Sequence, residues 1–349
     1  MKKLTVLAAL AISGSAFAMD THMDLMGRFD YLHTETKTNG ANKTTAGNYS
    51  PNYLRWKTTA KFNETTTAEL NLDLAADHAA ATTRTLSGMV DVAAVTKVLG
   101  GGFSAIIGKQ PVLVGGREND YKSRDVYTTS LFNDAISDNQ IGLTAAYNVM
   151  GQDFYLQHVE STGATALTDK KITGLAYYGN FMNGMLSPIV SYHKVGTDTS
   201  AKYDIMTTVG VKYTMGAIVA EFDYLMLKKE QVGTADQKLN SMVAHVRYNM
   251  GMYNPFAKYI METGKDAFAM ETGTTTKTTR AGGPNVTKSE RTAWELGLEV
   301  VPNKDEDMRY HVVYSSSKME DKTRTTGANQ KFEDTRLYAG VAFGFNILK

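Results

Sequence analysis

The chain has no cysteine, only six prolines in 349 residues, and a formal charge of +1. Without cysteine there are no disulfides, no thiolate nucleophile and no cysteine metal site, which suits passage through an oxidising compartment. Scarce proline leaves long stretches free to pair as strands. A near-neutral balance with no concentrated basic block argues against nucleic acid as a partner. Beyond residue 18 no apolar run approaches the roughly 20 residues of a spanning helix, so a membrane-crossing helix is excluded. A barrel strand is not excluded, because its apolar half lies in every second residue and its averaged hydropathy stays low.

What is present is a steady beat. Tyr147-Asn-Val-Met150-Gly151, Tyr178-Gly-Asn-Phe-Met182-Asn-Gly184, Tyr213-Thr-Met215-Gly216 and Tyr248-Asn-Met250-Gly251 place their last glycines 33, 32 and 35 residues apart. A fixed period of that size marks a repeated supersecondary unit. The flanking segments alternate apolar and polar, so the unit is a hairpin of two strands closed by a tight turn. A tyrosine at a strand end suits a membrane interface, where one end of the ring is dry and the other wet.

The alternation is clear along much of the chain. Leu25, Gly27, Phe29 and Tyr31 share one face against Asp24, Arg28 and Asp30. Leu54, Trp56, Thr58, Ala60 and Phe62 oppose Arg55, Lys57, Thr59 and Lys61, and Ala68, Leu70, Leu72 and Leu74 oppose Glu69, Asn71 and Asp73. Sixteen such segments run to a final strand over 335–347 with Leu337, Ala339, Val341, Phe343 and Phe345 on one side. Short connections, such as 63–66, 100–102 and 215–216, alternate with long ones: 36–51, 77–88, 108–138, 263–290 and 317–334. This predicts an all-β fold, a transmembrane antiparallel up-and-down β-barrel of about sixteen strands. In hydrocarbon an open sheet would leave two unpaired edges, so the sheet must close. The charged faces then border the lumen, where they predict water rather than a packed interior.

The first residues read Met1-Lys2-Lys3, an apolar run from Leu4 to Ile12, and Ala16-Phe17-Ala18. A positive start, a short apolar stretch and an A-x-A end describe a secretory signal peptide over 1–18, with the barrel domain over 19–349 and the outer membrane as destination. Removing Lys2 and Lys3 takes the formal charge from +1 to −1.

The stretch from Gly108 to Asp138 is the third long connection: Gly108-Lys-Gln-Pro111, Gly115-Gly116-Arg117-Glu118-Asn-Asp120-Tyr-Lys122-Ser-Arg124-Asp125. With the leader, the sixteen strands, the Asn139-Gln-Ile-Gly-Leu143 restart and the aromatic last strand, the whole mature chain resembles the general diffusion porins of Gram-negative bacteria. The resemblance implies that the third loop folds into the lumen and that its acids face bases on the wall across a constriction. Carried over, the acids are Glu118, Asp120 and Asp125, and the bases are Arg28, Arg55, Lys57, Arg84 and Lys109. It also implies a homotrimer, lipopolysaccharide or other outer-membrane lipid around the rim, and small hydrophilic solutes as cargo. One departure is the tail, Phe343-Gly-Phe345-Asn-Ile-Leu-Lys349, which continues past the terminal aromatic usual in the family.

No enzyme chemistry competes with this reading. His22, His33, His78, His158, His193, His245 and His311 are scattered, and neither G-x-S-x-G nor H-E-x-x-H occurs. Single methionines on separate turns do not converge on one ion, so neither a metal nor a cofactor is expected. The expected function is a passive channel. The alternatives are a sugar- or anion-specific channel on the same barrel, and a plugged structural or adhesive barrel.

Overall fold

A computed structural model describes residues 20–75, 89–121, 123–136, 139–160, 170–197, 203–230, 236–266, 270–272, 278–281, 286–303, 306–324 and 329–348. The expected leader and Arg84 lie outside the described residues. The first half holds β1 (Asp20–Thr38), β2 (Ala41–Asn63), β3 (Thr66–Asp73), β4 (Val90–Gly100), β5 (Phe103–Pro111), β6 (Asn139–Val149), β7 (Gln152–Glu160), β8 (Lys170–Tyr178) and β9 (Leu186–Thr197). The second holds β10 (Asp204–Met215), β11 (Ile218–Lys229), β12 (Gln237–Tyr248), β13 (Tyr253–Lys265), β14 (Met270–Thr272), β15 (Thr278–Ala281), β16 (Val286–Val300), β17 (Asp307–Arg324) and β18 (Lys331–Leu348). Sixteen strands form one closed antiparallel barrel in chain order, and β14 pairs only with β15. The seam joins β1 to β18 from Met23↔Leu348 to Thr38↔Phe332. Gly27 sits opposite Phe343 there, and a Cβ on it would lie 2.4 Å from the Phe343 ring, so the missing side chain makes room for that aromatic.

The barrel is inside out relative to a water-soluble domain. Phe29, Ile107, Leu143, Leu156, Leu175, Phe222 and Leu296 are exposed on the outer face. Their neighbours one residue along point the other way, and Arg28, Thr144, Gln157, Glu221, Asp223 and Glu295 are buried. Period-two alternation on a closed sheet leaves no other arrangement.

Two expectations change. The first long connection is a two-residue turn: Asn39 and Gly40 have φ of 51° and 75°, and β1 and β2 run up to them on either side. Asn-Gly is the strongest type I′ signal, and it closes a hairpin whose polar residues are strand, not loop. Strands β3 to β13 have 8 to 13 residues, whereas β16, β17, β18, β1 and β2 have 15, 18, 18, 19 and 23. At about 3.3 Å per residue the longer group outruns a hydrocarbon core of about 30 Å.

The inward face is also not polar throughout. Val112, Val114, Leu131 and Phe132, from the connection between β5 and β6, share one buried apolar cluster with Val159, Ile172, Val195, Met206, Leu225, Leu227, Leu239, Val243 and Ile260 of β7 to β13. These strand positions are dry because a covering segment packs on them, which replaces the expected uniform wet lining.

Candidate functional site

Residues 112–136 carry three short turns, each held from the barrel. Arg117–Asp120 is a 3₁₀ turn whose first two N–H groups donate to one carboxylate: Arg117 to Asp223 Oδ1 at 2.7 Å and Glu118 to Asp223 Oδ2 at 2.9 Å. Gly116 allows this approach, because a Cβ there would lie 2.2 Å from Asp223 Oδ1. Ser123–Asp125 is a second turn. Leu131–Asp134 is one helical turn capped by Ser130, whose hydroxyl accepts the Asn133 N–H, and the Leu131 N–H donates to Glu262 Oε1 at 2.8 Å. Two strand carboxylates thus take the free N–H groups at the starts of two turns, the groups a short helix cannot satisfy itself.

Ion pairs surround these anchors. Glu118 pairs with Lys258 at 2.5 Å, accepts the Ser130 N–H and Oγ, and is almost fully buried. Lys258 also donates to the Thr128 carbonyl at 2.6 Å. Asp125 pairs with Arg309, which meets Glu299 at 3.2 Å, and Glu299 pairs in turn with Arg247 at 2.7 Å. Arg124 bridges both oxygens of Asp307 and donates to the Phe343 carbonyl at 2.8 Å. Arg28 donates to the carbonyls of Val126 and Arg124, at 2.6 and 3.1 Å, while its Nε meets Asp30 at 2.8 Å. Asp30 also meets His311 Nε2 at 2.6 Å. Arg291 joins Glu262 at 2.6 Å and donates to the Thr129 carbonyl. Asp120 is held by Arg117 at 2.6 Å, and burial pushes its carboxyl above the usual carboxylate range against the pull of that guanidinium. Burial likewise raises the Tyr121 phenol, helped by Glu221, to which it donates.

The residues singled out by sequence fall into separate groups. Glu118 and Asp125 meet wall bases, but those bases are Lys258 and Arg309. Asp120 meets Arg117 of its own turn. Arg28 joins the segment through backbone carbonyls. Arg55 pairs with Asp91 of β4, one strand beyond β3, at 2.5 Å and Lys57 with Glu69 of the adjacent β3 at 3.3 Å, so both find their carboxylate partners on the wall rather than on the 112–136 segment. Lys109 shares its register with Ala93 and Ile141 and its face with Ile107, which is the outward face, and it donates to the Val90 carbonyl.

Sequence reasoning missed Asp223, Lys258, Glu262, Arg291, Glu299 and Arg309. Their signal was a charge at the inward position of an alternating strand, as in Phe222-Asp223-Tyr224 and Met261-Glu262. Nothing in the spacing says which inward charge meets a residue more than 100 positions away. The arrangement offers fixed charges and hydrogen-bond donors rather than a nucleophile. Among the described residues no group of three or more His, Cys, Asp or Glu is placed to hold a metal ion.

No family model matches the sequence, and no curated protein matches it. The fold does have likenesses among solved structures. An anion-selective porin from Comamonas acidovorans aligns with a TM-score of 0.60 at 14% identity, over 93% of this chain and 100% of that one. The trimer form of OmpT, an outer membrane protein of Vibrio cholerae, aligns at 0.55 and 13% identity over 91% and 99%. The outer membrane channel DcaP of Acinetobacter baumannii aligns at 0.58 and 11% identity over 93% and 96%. At these identities the likeness establishes a porin-type sixteen-strand barrel.

Proposed function

From the shared barrel fold as premise, we propose that this chain is an outer-membrane channel for small hydrophilic solutes and ions. In this reading the leader over 1–18 is removed on export, and residues 112–136 fold inward to narrow a water-filled bore. The observation that carries it is the set of bonds from that one segment to the inward faces of β1, β11, β13, β16 and β17. A connection that stayed outside the rim could not reach side chains on so many walls. Wall charges opposed to loop charges in a low-dielectric passage steer ions and set selectivity. The chain acts without covalent chemistry or cofactor, and it assembles as a homotrimer, an arrangement consistent with the trimeric OmpT likeness.

Single-channel recording in planar bilayers tests the reading. Large ohmic steps are the expected result; absence of steps from folded protein would overturn it. Small steps blocked by one solute would favour a second reading, a substrate-specific channel. The apolar cluster favours that alternative, since it fills part of the cross-section against β7 to β13 and leaves a narrower passage.

A further inference from the structure

A cavity lies between the 112–136 segment and the inward faces of β11, β12, β13 and β16. Five carboxylates line it against two full cations, Arg247 and Lys258. Both cations are already matched, Lys258 by Glu118 at 2.5 Å and Arg247 by Glu299 at 2.7 Å. Asp125 has Arg309, and Glu221 is met by His245 at 3.1 Å and by Lys212 at 3.9 Å. Two lining carboxylates are left without a cation among the described residues. Asp223 takes the two backbone N–H groups of the segment. Glu295 stands opposite Lys258 in register, but that ammonium is engaged by Glu118 and the Thr128 carbonyl.

Glu295 is the sharper anomaly. It is 3% exposed, the Thr128 side chain serves its carboxylate, and its Oε2 has no hydrogen-bond partner. Tyr127 lines the same cavity at 7% exposure, and its hydroxyl has no partner either. A buried carboxylate oxygen is costly unless a donor, and preferably a cation, stands beside it. The free space suits a group of about water's size, and Val126, Val243 and Phe256 give it an apolar flank. A primary ammonium carries one charge and three donors in that volume, and a short alkyl stem suits the flank.

We propose that this cavity, on the wall side of the segment, is a binding site for the primary ammonium group of a small organic cation. Glu295 Oε2 accepts one N–H and matches the charge, and the Tyr127 hydroxyl accepts a second. The site rests on the inward placement of residues 112–136 proposed above and assigns one solute class to it. Hydrogen bonds between ionised partners are about twice as strong as neutral ones, and exclusion of bulk water keeps them so.

Saturation-transfer NMR of the folded, detergent-solubilised protein, titrated with ethylammonium, tests the site. Ethanol and tetramethylammonium serve as probes that lack the charge or the N–H donors. Ethylammonium alone is expected to receive saturation. Its affinity should fall about tenfold in Glu295→Gln, which keeps the shape and removes the charge, and about threefold in Tyr127→Phe, which keeps the ring. Glu290→Gln, on the outer face, should bind as the parent does. Equal transfer to the three probes, or undiminished binding in both Glu295→Gln and Tyr127→Phe, overturns the site. Should Glu295→Gln fail to fold, undiminished binding in Tyr127→Phe overturns it alone. Conductance of the same preparations separates this site from the channel reading. Protein that conducts without binding ethylammonium loses the site alone, and protein that binds it without conducting loses the channel alone.

Discussion

Asp223 is the residue on which the placement of the 112–136 segment most depends, since one carboxylate receives two backbone N–H groups. Asp223→Ala leaves both unsatisfied, at about 1–3 kcal/mol each where they are buried. The expected result is an intact barrel that limited proteolysis nicks between β5 and β6 and that conducts more; Asp223→Asn, which keeps one acceptor, should fall between. The Glu118–Lys258 pair makes a different point. Breaking a buried pair by removing one partner costs about 3–5 kcal/mol because the other charge is stranded. Glu118→Gln and Lys258→Met should each loosen the segment, while the double variant should be less sensitive to protease than the sum of the two predicts. An unchanged protection pattern in either single variant would show that the pair does not hold the segment. Glu118, Asp125 and Arg28 stood among the candidates because the porin resemblance carries third-loop acids and wall bases onto them, with Arg28 on the polar face of a clearly alternating strand. Their partners were not. Lys258 and Lys109 are each a lysine on an alternating strand, and only the folded barrel shows that the first meets Glu118 while the face shared by Ile107 and Lys109 is the outward one.

Elements were more legible than contacts. Alternation locates β1, β2, β3, β6 and β18 because tilted strands between lipid and lumen must obey period two. It fails at the ends of β1 and β2 that flank the turn, where the sequence is polar at nearly every position and resembles loop. There Asn39-Gly40 decides, since the turn dictates pairing whatever flanks it. The two kinds of turn glycine should respond differently to substitution. A Cβ at Gly40 meets nothing within 4 Å, so Gly40→Ala carries only the strain of positive φ, about 1–2 kcal/mol, confined to the hairpin tip. A Cβ at Gly102 would lie 2.3 Å from the Asn148 carbonyl oxygen. Gly102→Ala therefore displaces the β5–β6 end as well and should lower the urea midpoint of unfolding further. Equal midpoints for the two variants would contradict this account.

The whole molecule depends on closure. Deleting residues 331–349 removes β18 and leaves β1 and β17 with unpaired edges, which lipid cannot satisfy. The truncated chain should lose the heat-dependent shift in electrophoretic mobility that marks a folded barrel, and it should aggregate; a retained shift would mean that fifteen strands close alone. The apolar cluster was hidden from sequence at this scale for the same reason the pairs were. Leu225 and Leu227 occupy inward positions that read as wet until another part of the chain covers them.

Because the seam brings Met23 beside Leu348 in the same antiparallel register as every other strand pair, the ring of hydrogen bonds has no privileged starting point. Recutting the chain between Met215 and Gly216 and bridging the old ends with a short flexible linker should yield the same cylinder, detectable by the same mobility shift. Its strands would then emerge from the ribosome in rotated order, so any difference in insertion yield would report how the membrane reads the order of arrival rather than the finished shape.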